Sequence, residues 1–315
     1  MKQKDISGFE FSKNNKRYYT QDYFLKNKFG TKVCKIPLNA GYSCPNIDGS
    51  VGFGGCIYCS SNGSGDFAGN PEDTLKKQFD EIKINMNKKW KTTKYIAYFQ
   101  AHSNTYGSLE KLKKITNEVL NFDGVVGISI ATRADCLNDD IVKYLYNLAK
   151  KTYLIIELGL QTIHDKTAEK INRCHSYKQF LNGYNLLKNQ NLNVGVHIIN
   201  GLPGETNEMM LETARTVSNL NPHSIKIHLL HVLKNTKLAQ MFENKEFDVL
   251  TQDQYVTIVC NQLQIINKNI IIERLTGDGK KDDLIAPLWS LKKFCVLNDI
   301  DKEMKTRQAY QGDKN

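Results

Sequence analysis

Short runs of β-branched and aromatic residues recur at 32–38, 95–100, 125–131, 153–158, 193–199 and 224–229, each the length of a strand. Between them lie longer stretches with apolar positions three and four apart, at 71–87, 109–121, 139–150, 177–189 and 205–219, which predict helices. The order is strand then helix, repeated about six times, and this predicts a parallel sheet. Parallel strands joined by right-handed crossovers either wind into an open sheet or curl into a barrel. In both cases ligands gather at the C-terminal ends of the strands.

After residue 230 the pattern changes to helices at 236–243 and 252–267, a strand at 270–274 and a polar C-terminus. No Pro- or Ser-rich linker precedes this tail, so residues 236–315 are expected to pack on the body at 31–235 rather than to form a separate domain. Residues 1–30, rich in Lys, Asn and Tyr, read as an N-terminal arm that either covers the barrel mouth or is mobile.

Composition narrows the class. Of 315 residues, 40% are hydrophobic, which suits one large core or two modest ones and excludes a disordered chain. No apolar run approaches the roughly 18 residues of a membrane span, and the N-terminus lacks the apolar stretch of a signal peptide, so a cytoplasmic protein without membrane partners is expected. In that reducing compartment eight cysteines do not form a disulfide framework, and a close group of them points to metal or redox chemistry. The net charge of +10 suits a polyanionic partner such as RNA, and equally a Lys-rich surface with no such partner.

Cys44, Cys56 and Cys59 form such a group, in CPNIDGSVGFGGCIYC directly after the first strand. The pair Cys56 and Cys59 alone fits zinc, a thioredoxin-like dithiol or iron–sulfur ligation. A structural zinc wants a fourth ligand at paired spacing, and a dithiol wants no third thiol nearby. Three thiolates with an open position fit a site-differentiated [4Fe–4S] cluster better than either, while both alternatives stay open at this point. Gly49, Gly52, Gly54 and Gly55 would let the loop wrap a cluster closely. Tyr58 is expected to point outward, where its ring can stack on an adenine. Cys34, Cys136, Cys260 and Cys295 lack ligand spacing and read as buried apolar residues.

The three-cysteine loop followed by βα units resembles the radical S-adenosylmethionine (radical SAM) superfamily. Eleven residues separate the first two cysteines, as in the subgroup that includes the elongator catalytic subunit. The segments AGYSCPNIDGSVGFGGCIYC, YIAYFQAHSNTY, ATRADCL, ELGLQTIHDKTAEKINRCHS, GLPGET and IKIHLLHVLKNT are similar to YhcC/YtqA-type members, over about residues 30–289.

The resemblance implies an α/β fold: a partial TIM-like (β/α)6 barrel of six parallel strands with a short C-terminal α/β extension. It implies a [4Fe–4S] cluster on Cys44, Cys56 and Cys59, and S-adenosylmethionine on its fourth iron. Around the methionine, ribose or substrate it places Gln100, Thr132 and Arg133, with Glu157 and Gln161 flanking the end of strand four. Arg173 falls where a guanidinium pairs with the methionine carboxylate, and Cys174 where relatives usually carry glycine. The turn Gly201-Leu202-Pro203-Gly204-Glu205 falls where the adenine is lined. Lys226, His228 and His231 follow as tentative substrate groups, the first two on one strand face.

The implied chemistry is reductive cleavage of S-adenosylmethionine to a 5′-deoxyadenosyl radical, with a reductant such as flavodoxin or ferredoxin. The implied role is tRNA modification, converting a carboxymethylaminomethyl group on the wobble uridine to aminomethyl. Radical chemistry on a small metabolite or porphyrin-like substrate, and a non-catalytic zinc-dependent RNA-binding protein, are the alternatives.

Overall fold

A computed structural model of the chain describes residues 8–60, 63, 65, 67–277 and 279–315; residues 1–7 of the expected arm lie outside them. In chain order the first elements are α1 (Gln21–Phe29), β1 (Val33–Leu38), α2 (Leu75–Lys89), β2 (Lys94–Phe99), α3 (Leu109–Leu120), β3 (Val125–Thr132) and α4 (Asp139–Ala149). Then come β4 (Tyr153–Gln161), α5 (Asp165–Lys170), α6 (Tyr177–Lys188), β5 (Asn193–Asn200), α7 (Asn207–Leu220) and β6 (Ser224–Leu229). The chain ends with β7 (Val232–Leu233), α8 (Lys237–Glu243), α9 (Gln252–Ile265), β8 (Ile271–Arg274), β9 (Leu284–Ala286) and α10 (Lys293–Thr306).

The main sheet has the order β1-β2-β3-β4-β5-β6-β8. Neighbours β1 and β2, β2 and β3, β3 and β4, and β6 and β8 pair in parallel. This is the partial TIM-like α/β class that the alternation predicts, with one correction: the sheet has seven strands, not six. The run Ile-Ile-Glu-Arg in the expected extension joins β6 through its own backbone, with Ser224 opposite Ile271 and Lys226 opposite Arg274. A short antiparallel pair, β7 with β9, stands apart from it.

Two compact units divide the described chain: residues 28–160 with 172–195, and residues 8–27 with 161–171 and 196–315. In the first, β2 is buried at five of its six positions, as a parallel strand covered on both faces must be. Phe79 of α2 packs edge-on against Tyr95 and tilted against Phe122, with ring centroids 5.7 and 5.2 Å away. Such side chains, each worth about 1.5–3 kcal/mol on burial, hold the helices to the sheet. Gly183 brings α6 against the short 3₁₀ turn Ala134–Cys136, since a Cβ there would overlap the Ala134 carbonyl.

The second unit gathers both ends of the described chain. Tyr19 accepts a backbone bond from Ile272 (2.7 Å), Thr20 bridges to the same residue, and Gln311 donates to Arg17 (2.9 Å). Phe9 stacks on Tyr310 at 5.9 Å. The aromatic residues of the N-terminal segment thus have packed partners.

Helix starts follow the cap residues. Thr74, Ser108, Asn138, Ser176, Thr206, Thr236 and Thr251 each accept from a backbone N–H in the first turn, and Ser176 with Gln179 and Thr251 with Gln254 complete capping boxes. Thr74 explains why α2 begins at Leu75 and not at the expected residue 71.

Candidate active site at the cysteine loop

The loop after β1 carries Cys44, Cys56 and Cys59 in a fixed fold. The Cys44 carbonyl accepts from Ile47 (2.9 Å), the Asn46 carbonyl from Gly55 (2.8 Å), and the Cys56 carbonyl from Cys59 (3.0 Å). Gly54 and Gly55, at φ +76° and +74°, make the left-handed step that delivers Cys56, a step costly for any residue with a Cβ. Gly52 answers a different need, because a Cβ there would overlap Asn46 Oδ1 and lie 2.6 Å from Cys174 Sγ.

The turn Asn172-Arg173-Cys174-His175 clamps this loop. Asn172 Nδ2 donates to the carbonyls of Phe53 (3.0 Å) and Gly55 (2.7 Å), and Asn46 Nδ2 donates to the Asn172 carbonyl (2.5 Å). Asn172 and Cys174 both hold positive φ, +53° and +58°. A left-handed backbone at Cys174 is why glycine is at home there, and its thiol settles on Asn172 Oδ1 at 3.3 Å. Arg133 ties the end of β3 to the same turn, donating to the carbonyls of Arg173 (2.8 Å) and Cys174 (3.5 Å) while Asp135 takes its other edge at 2.9 and 2.7 Å.

The thiols fit a cluster. Hydrogen bonding from Cys59 first, with Tyr58, the Arg133 charge and Asn46, outweighs burial and brings the Cys56 thiol down to about 6, so it is largely thiolate, the ligating form, at neutral pH. Cys44 lies within electrostatic reach of Arg133, Cys136 and Cys174. Among the described residues no three His, Cys, Asp or Glu side chains converge to hold a single ion. A mononuclear zinc needs all its ligands around one point, whereas a cubane takes each thiolate on a different iron.

Several side chains sit otherwise than the sequence suggests. Tyr58 does not point away from the cysteines: its hydroxyl bonds the Cys56 sulfur, and burial followed by the two thiolates raises its pKa well above the ordinary 10.0. Glu157 does not flank the end of strand four, because β4 continues to Gln161; it pairs across from Ala131, almost fully buried, with Lys35 Nζ at 2.6 Å and the Ser129 hydroxyl bonded to it. Cys295 is exposed and Cys136 half-buried, so of the four isolated cysteines only Cys34 and Cys260 are core residues. Position alone in a helix or turn sets these exposures, and no local motif marks them.

Arg173 is 1% exposed, with Nε and Nη2 on the His175 carbonyl (3.0 and 2.9 Å) and Nη1 on that of Leu160. Gln100 follows β2 directly, its N–H on the Leu38 carbonyl (3.2 Å). Thr132 shares a 2.6 Å bond with Thr105. Residues 102–105 carry no sequence signal of a role, yet Asn104 knits the strand ends by donating to Phe99, Ala101 and Ala131, and His102 holds φ +59° with a buried Nδ1 that has no hydrogen-bond partner. For Asn46, Asp135 and Asn172 the only sequence signal is nearness to Cys44, Arg133 and Arg173.

The remaining candidates belong to the other unit. Gln161 ends β4 at φ +62°. Glu205 accepts from the Thr162 hydroxyl at 2.5 Å, and the Gly201 N–H points to Met210 Sδ at 3.2 Å. Lys226 lies 3.8 Å from Glu273, which also takes Gln21 Nε2 (2.7 Å) and the Ser224 hydroxyl. His228 stands beside His197, ring centroids 5.2 Å apart.

A seven-stranded, largely parallel α/β sheet with a three-thiol loop after its first strand is the arrangement of a radical SAM fold. Residues 51–217 match the family model of the radical SAM superfamily, and residues 222–306 that of the Radical_SAM C-terminal domain. The chain is 51% identical over 304 residues to the uncharacterized protein YtqA of Bacillus subtilis (strain 168), covering 96% of this chain and 94% of YtqA. It is 29% identical over 279 residues to protein YhcC of Escherichia coli (strain K12), covering 88% and 89%. Among solved structures, archaeal Elp3 of Methanocaldococcus infernus with an N-terminal deletion superposes with a TM-score of 0.67 at 17% identity, over 89% of this chain and 64% of that one, a likeness of fold. The chain belongs to the radical SAM superfamily, as a protein of the YhcC/YtqA type, and the family's cofactors are a [4Fe–4S] cluster and S-adenosylmethionine.

Proposed function

We propose that this enzyme cleaves S-adenosylmethionine reductively and uses the radical to modify the side chain of the tRNA wobble uridine, converting carboxymethylaminomethyl to aminomethyl. The observation that carries the reading is the cysteine loop locked by the turn at residues 172–175. Cys44, Cys56 and Cys59 would hold the cluster, and Tyr58 and Asn46 would brace its sulfurs. When bound, the cluster supplies the single electron that splits the sulfonium. Gln100, Thr132, Arg133 and Arg173, in the same unit as the cysteines, would position the nucleoside and methionine; Glu157, locked to Lys35, would keep the sheet interior charged and ordered. Flavodoxin or ferredoxin would serve as reductant.

Two observations support an RNA substrate. Relatives named tRNA uridine(34) acetyltransferase, from Methanocaldococcus infernus and Methanocaldococcus jannaschii, are 27% and 26% identical over 174 residues, about half of this chain. In the chain itself Lys280, Lys281 and Lys292 are exposed, and Phe294 (77%) and Leu288 (62%) stand out from the surface near Lys292 and Lys293. Cations beside exposed aromatic and apolar side chains suit single-stranded nucleic acid. The test is nucleoside mass spectrometry of carboxymethylaminomethyl-bearing tRNA after anaerobic incubation with enzyme, reductant and S-adenosylmethionine. Loss of the carboxymethyl mass is expected, with weaker tRNA binding when the four lysines are reversed to glutamate. Unchanged tRNA alongside ordinary S-adenosylmethionine cleavage would move the substrate to small metabolites.

A further inference from the structure

Asn46, two residues after Cys44, is fully buried, and its side-chain amide meets two neighbours. Nδ2 donates to the Asn172 carbonyl at 2.5 Å and to Cys56 Sγ at 3.6 Å. The Asn172 carbonyl fixes which way round the amide sits: turned over, Oδ1 would stand against a second oxygen, and an amide oxygen has no proton to donate. The N–H edge is therefore committed to the carbonyl and the sulfur. Oδ1 is left buried with no hydrogen-bond partner, and the missing Cβ of Gly52 provides its space, since a carbon there would lie 2.4 Å from it.

A bare buried acceptor destabilises a fold, and one that persists asks for an explanation, a redox role among them. The other edge of the same amide supplies one, because it lies on a sulfur of the cysteine loop. Side-chain donors converge on that sulfur: besides Asn46, the Tyr58 hydroxyl bonds Cys56. Asn46 is also held in place, since Asn172 carries its amide on the carbonyl and clamps Phe53 and Gly55 through Nδ2. Hydrogen bonds to the sulfurs of an iron–sulfur cluster help to set its reduction potential. The positive end of a donor stabilises the extra electron of the reduced state, so each such bond makes reduction easier.

We propose that Asn46, together with Tyr58, raises the reduction potential of the cluster through hydrogen bonds to the Cys56 sulfur. The inference rests on the reading that Cys44, Cys56 and Cys59 hold the cluster. Asn46 is a positioning residue that acts through Cys56. One electron enters from an external donor, dithionite or a flavin or iron–sulfur protein, and both side chains keep their protons throughout.

The experiment is an anaerobic redox titration of the full, cluster-loaded chain with dithionite and mediator dyes, without S-adenosylmethionine. Electron paramagnetic resonance counts the reduced cluster, and iron analysis gives the loading. Asn46→Leu keeps the size and removes the donor, while Tyr58→Phe removes the hydroxyl alone. At the midpoint of the unaltered chain, the ratio of reduced to oxidised cluster is expected to fall about tenfold in Asn46→Leu, a lowering of about 59 mV for one electron, and to fall in Tyr58→Phe as well. Asn172→Gly separates tuning from a loosened loop, because it loses the clamp but keeps the carbonyl that holds Asn46: less iron and an unmoved midpoint are expected. An unchanged midpoint in Asn46→Leu, or an equal drop in Asn172→Gly, overturns the proposal. Should Asn46→Leu retain no iron, Tyr58→Phe decides, a lowered midpoint supporting the tuning of Cys56 and an unchanged one overturning it. An unaltered chain that takes up iron without a [4Fe–4S] signal would refute the ligand assignment and the tuning with it, a result distinct from a normal signal whose midpoint does not move.

Discussion

At the scale of single residues, the turn after α5 does the most. His175 is buried with neither ring nitrogen bonded, and burial first, then the charges of Arg173 and Arg133, lowers its pKa to about 3. Between that value and the ordinary 6.5, the unfolded chain takes up a proton that the folded chain refuses, so stability falls as pH falls through this window. At pH 5 the loss is about 2 kcal/mol relative to neutral pH. The thermal midpoint should drop between pH 7.5 and 5 by more in the unaltered chain than in His175→Gln; an equal drop in both would remove His175 as the cause. Asn172 offers a second check. Asn172→Gly keeps the left-handed backbone and loses both bonds to the cysteine loop, at roughly 1–3 kcal/mol for the carbonyls left without partners. Reduced iron retention is expected, and full retention would show that the clamp is dispensable.

At the scale of elements, close approaches set the geometry. Gly52→Ala drives a methyl group into Asn46 and toward Cys174, so the loop should shift and bind less iron. Combining it with Cys174→Gly should recover part of the loss, a coupling that iron counting and a double-mutant comparison would detect. Purely additive effects would mean that the two do not touch. The strands β1 to β6 were legible because parallel strands buried on both faces must be near-continuous apolar runs. By contrast, α1 buries only Leu25, and α10 shows one thin stripe of Val296, Ile300 and Met304 among polar residues, so periodicity could not announce either. The short pair β7 and β9 depends on pairing between distant segments, which no local pattern encodes.

At the scale of the whole molecule, the cysteine spacing and the strand order were enough to place the chain in its superfamily, because ligand spacing is written in sequence. The distribution of partners around the site was not, since Asn46 and Asn172 act through contacts 117 to 126 residues away in the chain. Among the described residues no helix is long and apolar enough to cross a membrane. The central claim is that three cysteines hold a cluster at which S-adenosylmethionine is cleaved. It is tested most directly by anaerobic reconstitution with iron and sulfide, reduction with dithionite, and measurement of 5′-deoxyadenosine in the unaltered chain and in Cys56→Ala. About four irons per chain and 5′-deoxyadenosine are expected from the first, and neither from the second. A colourless zinc-loaded chain that forms no 5′-deoxyadenosine, or full cleavage by Cys56→Ala, would contradict it.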